Sequence, residues 1–334
     1  MAALYSPCRQ KRYLLPAHRY WWQRLKVVGS PAELIGFLDS VLVNKGGDES
    51  LKAYLKNDIV FGADTSNLCE KRWVRNKEQS LFTGEFDGRG HSIYGLNAEN
   101  SLFREIGMSA GSVHDVSVVH GNFGSDSVTR VASIADVLGG NLWNVNVIAT
   151  DVRSAYDAAG IVANVSSPYS SDGKLAYILN SHVIGGSVGG SYYVGGIAGF
   201  SAGVIRGCTN SARIFTVENP EVKDKMSAYI GGIVAYSLVD FGAAIGNCVN
   251  HGNVEIKSLA QWTFAGGIAG EVDGNIENLQ NYGDVSSKIT FASDTAKTNW
   301  TATSYVGGIA GLHSLPRKYY MVLDYRTTTS IFGN

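Results

Sequence analysis

The sequence predicts an all-β fold built of stacked coils, and three observations lead there. The first is a repeat: Val194-Gly-Gly-Ile-Ala-Gly199, Ile230-Gly-Gly-Ile-Val-Ala235, Ala265-Gly-Gly-Ile-Ala-Gly270 and Val306-Gly-Gly-Ile-Ala-Gly311 recur every 35 to 41 residues. A period of that length marks units that bury their apolar faces only against their neighbours. The second is the content of each repeat, short runs rich in Val, Ile and Tyr separated by Gly, Asn, Ser and Asp, which is the pattern of short strands and turns. The third concerns helices: from about residue 100 onward no ten-residue stretch has apolar residues three and four apart, which excludes a helical solenoid.

Weaker copies extend the period upstream, at Ala159-Gly160-Ile161-Val162, Ala132-Ser133-Ile134-Ala135 and Leu102-Phe103. A second element accompanies them: Val113-His-Asp-Val116, Leu142-Trp-Asn-Val145, Ile178-Leu-Asn-Ser181, Ile205-Arg-Gly-Cys208, Ile245-Gly-Asn-Cys248 and Ile276-Glu-Asn-Leu279. Two residues further on, the last three copies carry Asn210, Asn250 and Asn281 where earlier ones carry Val118, Val147 and Val183. The Gly-Gly-Ile segment has no copy at half spacing, so one coil per period is expected.

Stacked coils place like residues over like at about 4.8 Å. Ile161, Ile197, Ile233, Ile268 and Ile309 then form one inward column, each residue contributing roughly 1.5 to 3 kcal/mol when fully buried. The flanking Gly residues let the backbone turn sharply or pass close to a neighbour. Cys208 and Cys248 fall at equivalent positions, either as small buried fillers or as a disulfide between adjacent coils. The Asn column reads either as an amide ladder or as a polar strip facing a ligand.

Four segments follow. Residues 1–29 form a basic leader, expected to lack order, with Arg9, Lys11, Arg12, Arg19, Arg24 and Lys26, no acid, and no apolar run of signal-peptide length. Residues 30–62 hold a capping helix and a first strand. Ser30 supplies an N-cap, Pro31 the first helical residue and Glu33 a capping box, followed by an apolar face of Leu34, Ile35, Phe37, Leu38, Val41 and Leu42. Such a helix would cover an exposed sheet edge over residues 30–46. Leu55 to Val60 reads as one short strand. Residues 63–312 carry the repeats, and 313–334 form a tail or an interrupted last coil.

The run Phe82-Thr-Gly-Glu-Phe-Asp-Gly-Arg-Gly-His-Ser-Ile-Tyr-Gly-Leu96, the Leu102-Phe103 step, the Val-Gly-Gly-Ile-Ala-Gly copies and Ile245-Gly-Asn-Cys-Val-Asn-His-Gly-Asn-Val254 together resemble the GLUG-motif repeat proteins over residues 30 to 312. The resemblance implies a right-handed parallel β-helix, secreted or attached to the cell surface, of adhesin type and without catalytic residues to carry over. The chain's lack of a signal peptide leaves a cytoplasmic location open as well.

Composition fits a sheet-rich solenoid: 40 Gly, 6 Pro, 45% apolar and 17% charged residues among 334. The net charge of -1 argues against nucleic acid or anionic lipid as partner, and no apolar run is long enough for a membrane-spanning helix. No cofactor motif and no metal-ligand spacing is present among the four Cys and seven His. Gly199-Phe-Ser-Ala-Gly203 matches the nucleophile-elbow string, but strands flank it on both sides where the elbow needs a following helix.

Two functional readings remain. The first is a noncatalytic scaffold that displays flat faces and variable loops to a protein or glycan, chiefly Val217 to Ser227 and Ser286 to Thr303 with Tyr229 and Trp300 nearby. The alternative is a carbohydrate-active enzyme, a polysaccharide lyase or glycosidase, using Asp151, Arg153 and Asp157, with Asp115 and Asp136 approaching from neighbouring coils. An enzyme of that kind requires these acids and a base to converge.

Overall fold

The computed structural model describes residues 25–41, 51–77, 79, 81–107, 110–166, 175–219, 227–238, 244–289 and 303–314. Strands dominate it, and the one helix among the described residues spans Pro31–Ser40. The strands belong to three sheets, of 20, 6 and 8 strands, and all pairings among the described residues are parallel. A single repeat visits the sheets in turn. Asn141–Arg153 lies in the large sheet, Asp157–Ala159 in the six-stranded sheet and Val162–Val165 in the eight-stranded one, before the chain re-enters the large sheet at Tyr177–Leu179.

Register follows the sequence period. Ala135 pairs with Val162, Val162 with Ala198, Ala198 with Val234, Val234 with Ala269 and Ala269 with Ala310, so one period advances a sheet by one strand. The isoleucines stack as expected: Ile161, Ile197, Ile233 and Ile268 are fully buried, and Ile309 is partly buried against the same core. Each passes a backbone hydrogen bond to the next, with Ile197 N donating to Ile233 O and Ile268 N to Ile309 O, both at 2.8 Å.

Asn210, Asn250 and Asn281 form the amide ladder, fully buried at Asn210 and Asn250 and partly at Asn281. Asn210 Nδ2 donates to Asn250 Oδ1, and Asn250 Nδ2 to Asn281 Oδ1, each at 2.8 Å. The same amides clamp their own turns: Asn250 Nδ2 donates to Gly252 O at 2.7 Å, and Gly252 N donates back to Asn250 Oδ1 at 3.1 Å. Both protons and both lone pairs of Asn250 are therefore used, which makes its full burial tolerable. The second glycine of the repeat belongs to the same device, because a Cβ on Gly232 would stand 2.3 Å from Asn250 Cγ and 2.1 Å from Gly267 O.

The third residue of the second element turns the large sheet. Asp115, Asn144, Asn180, Asn247 and Asn278 all adopt φ between 46° and 53°, and Gly207 adopts 67° at the corresponding place. Asn, Asp and Gly are the residues that enter this left-handed region at least cost. Cys208 and Cys248 are free and buried, and burial pushes the Cys208 thiol up, away from thiolate. Ser201, in the nucleophile-elbow string, is buried in the strand Ala198–Ser201 and accepts the Gly203 N–H at 3.2 Å.

Three expectations at the N-terminal end need correction. Leu25–Val28 is a strand paired with Lys52–Leu55, so order begins inside the 1–29 leader; residues 1–24 lie outside the described residues. The helix ends at Ser40, short of residue 46, and packs Phe37 against Phe82, Phe86 and Phe103 at ring separations of 5.5 to 6.4 Å. The Leu55 to Val60 strand is two strands, Lys52–Leu55 and Ile59–Val60, because the polar run Lys56-Asn57-Asp58 leaves the ladder between them.

Candidate binding face

Alternation along a strand sends one residue inward and the next outward. In the six-stranded sheet the outward residues of successive repeats are Tyr193, Tyr229, Phe264 and Tyr305, in direct register. Val194, Ile230 and Ala265 beside them are fully buried. In the adjoining eight-stranded sheet the outward file is Phe200, Tyr236, Glu271 and Leu312. The two files meet across the Gly-Gly-Ile corner, where Tyr229 and Tyr236 stack at 5.2 Å and Tyr193 and Tyr236 at 6.1 Å. Glycines make the corner tight enough for this: a Cβ on Gly231 would stand 2.0 Å from Val234 O.

Within the first file the rings lie face to face, Tyr229 on Phe264 at 4.8 Å and 8°, Phe264 on Tyr305 at 4.9 Å and 4°. Ring faces are thus consumed inside the file, which presents edges and hydroxyls outward. Trp262 differs. It lies two residues before Phe264 on the same strand, is 39% exposed, and among the described residues no ring stacks on it.

The polar groups of this face are poorly hydrated. Burial pushes the phenols of Tyr193, Tyr229 and Tyr236 upward, and the nearby Asp273 and Glu271 carboxylates push Tyr236 further. All three therefore remain neutral donors. Tyr236 OH donates to Asp273 Oδ2 at 3.4 Å, while the buried Asp273 Oδ1 has no partner. A buried carboxylate oxygen without a donor is costly.

The proposed catalytic residues lie apart in their bonding. Asp151 is exposed on the large sheet and accepts a hydrogen bond from Ser187 Oγ at 2.6 Å. Arg153, two residues on, pairs with Asp126 at 2.5 Å. Asp157 belongs to the six-stranded sheet, pairs with Arg130 at 3.0 Å, and burial raises its carboxyl above the usual range. Asp136 is held by Arg75 at 2.6 Å, and Asp115 by His114 and Asn144, both at 2.8 Å. Each carboxylate thus has its own partner. Of the three, Asp157 adjoins the aromatic face, since its neighbour Ala158 pairs with Val194, next to Tyr193.

Sequence reasoning missed the aromatic files, although Tyr193, Tyr229, Phe264 and Tyr305 each precede the apolar residue before Gly-Gly-Ile by one position. That spacing was the available signal. Of the loops expected to bind, residues 220–226 and 290–302, including Trp300, lie outside the described residues.

No protein-family model and no curated protein matches this sequence. A crystal structure from Bacteroides ovatus, named as that of a "putative immunoglobulin A1 protease", is similar over 86% of this chain and 84% of that one, with a TM-score of 0.56 and 18% identity. At that identity the likeness bears on the fold alone.

Proposed function

We propose that the chain is a noncatalytic parallel β-helix of the GLUG-motif kind, exposed at the cell surface or secreted, and that it binds a glycan through the paired aromatic files. The three sheets, visited in fixed order once per repeat, support the helical winding, and parallel crossovers are right-handed in nearly all folds. The observation that carries the binding role is the outward stack of Tyr193, Tyr229, Phe264 and Tyr305 beside Tyr236, with the exposed Trp262 two residues from Phe264 on the same strand. Sugars combine apolar C–H faces with many hydroxyl donors, which matches an open Trp262 face next to phenols and a carboxylate. The separate pairing of Asp151, Arg153 and Asp157 supports a scaffold over an enzyme.

A glycan array followed by calorimetry on the hits tests this. Trp262→Ala should weaken binding of the selected glycan at least about tenfold, in line with the loss of one stacked aromatic, and leave the thermal transition nearly unchanged. Equal affinity in the variant, or no glycan bound by the native chain, overturns the reading. Protease shaving of intact cells tests location: a surface protein is cleaved, an internal one is spared.

A further inference from the structure

At the other end of the molecule a different cluster forms around His114. Register places Asp87 beside His114 and Tyr54 beside Asp87, while His114 in turn pairs with Trp143. The imidazole is buried, its side chain 9% exposed, and stacks on the Trp143 ring at 4.1 Å and 8°. Its Nδ1 lies 2.8 Å from Asp115 Oδ2 and 3.7 Å from Asp87 Oδ1. Its Nε2 lies 3.3 Å from Glu85 Oε1, whose other oxygen accepts from Lys52 Nζ at 2.7 Å.

We propose that Asp87, His114 and Asp115 form a binding site for a divalent transition-metal ion such as Zn²⁺ or Mn²⁺, with His114 Nδ1 and one oxygen of each carboxylate as ligands. Three features support it. The ligand atoms all lie within 4.8 Å of one another, and separations of 2.8 and 3.7 Å bracket the roughly 3 to 3.5 Å expected between donors each about 2.1 Å from a shared ion. The second feature is Glu85. Ligating histidines nearly always direct their other ring nitrogen at a carboxylate or carbonyl, which fixes tautomer and ring plane; here Glu85 provides the carboxylate, and the Trp143 stack holds the plane. The third is access, since the side chains of Asp87 and Asp115 are 30% and 38% exposed while the imidazole between them is not.

Ligand type narrows the ion. One imidazole and two carboxylates suit Zn²⁺, Mn²⁺, Co²⁺ or Ni²⁺, whereas Ca²⁺ and Mg²⁺ prefer all-oxygen shells. Three protein ligands leave positions for water or a partner's group. The competing charge is Arg89, whose guanidinium lies 3.6 Å from Asp87 Oδ2 and 3.4 Å from the centre of the Tyr54 ring.

The test uses the full chain without an affinity tag, stripped with a chelator and titrated with ZnCl₂ or MnCl₂ by calorimetry and with CoCl₂ by fluorescence. Near-stoichiometric binding of one ion is expected, with Co²⁺ quenching Trp143 emission. Asp115→Asn should abolish both signals. That variant keeps the fold, because Asn occupies the same left-handed position at Asn144, Asn180, Asn247 and Asn278. Glu85→Gln should retain binding but weaken it about 10- to 100-fold, as loss of an orienting partner does. Absence of binding in the native chain, or equal binding by Asp115→Asn, overturns the proposal.

Discussion

One column of the large sheet runs from end to end of the molecule and changes character halfway. Ile59, Ile93, Val118, Val147 and Val183 fill it in the earlier repeats, and Asn210, Asn250 and Asn281 fill it in the later ones. Val147 and Asn250 are equally buried. The same geometric position thus accepts either an apolar side chain or an amide, provided that the amide meets copies of itself above and below. A single Asn in the column would leave a donor and an acceptor without partners, so the two solutions exclude each other within a run of repeats.

The sharpest break in that comparison is Asn250→Val. It removes one of two partners from Asn210 Nδ2 and from Asn281 Oδ1, and it strands both backbone groups of Gly252 that the amide satisfies. At about 1 to 3 kcal/mol for each buried orphan, offset in part by relaxation and water, the expected loss is about 4 kcal/mol in urea unfolding. Replacing Asn210, Asn250 and Asn281 together by Val should cost less per site than the single change, because partners are removed in pairs. A triple variant with three times the single loss would show that the ladder is not a cooperative unit.

The glycine beneath the column provides the next largest effect. Gly196, Gly232 and Gly267 each lie so close to an Asn amide that a Cβ would approach Cγ within 2.2 to 2.6 Å. An earlier copy has Ser133 at that place, buried and accommodated. Gly232→Ala is therefore expected to cost about 3 kcal/mol through overpacking, measured by the same unfolding transition, whereas Ser133→Ala should stay within about 1 kcal/mol. Equal losses would mean that the amide ladder is not what excludes the side chain.

A smaller difference belongs to the left-handed corner. Asn247→Ala forces a Cβ-bearing residue without a compensating polar group into φ 53° and should cost about 1 kcal/mol. Asn247→Gly should be close to neutral, as Gly207 already shows in the same column. Thermal melts of the two variants decide it, and equal melting temperatures would remove the conformational argument.

These contrasts also mark what could be seen in the sequence. The isoleucine file and the Asn column were legible because stacking converts a sequence period into spatial neighbours, so a repeated letter is a repeated contact. The capping helix was legible from Ser30, Pro31 and Glu33, whose N–H does reach Ser30 Oγ at 3.3 Å. The candidate sites were less so. The aromatic files mix Tyr with Phe and are broken by Glu271, and the His114 cluster draws Asp87 and His114 from repeats 27 residues apart that share no motif. An outward position selects for chemistry and not for identity, so the period that writes the core plainly writes the surface faintly.

The two candidate sites respond to acid in opposite ways, and that is the finest test of the comparison. Lys52 and His114 hold the Glu85 carboxyl below its ordinary value of 4.5, so its folded pKa lies under the unfolded one. Its contribution is present above the unfolded value and is lost as pH falls through the folded one. Asp157, raised by burial, has the reverse sign: ionisation disfavours the fold, and the penalty fades as pH falls through the raised folded value and is gone below the ordinary value of 3.8. In metal-free protein, Glu85→Gln should lower the melting temperature at neutral pH by the equivalent of at most about 0.5 kcal/mol, since the pair is exposed, and the difference should shrink as pH falls below 4.5. Asp157→Asn should stabilise at neutral pH and match it in acid. Curves that diverge toward low pH in either variant would reverse the assigned signs and with them the claim that one carboxylate is held by charge and the other by a dry surface.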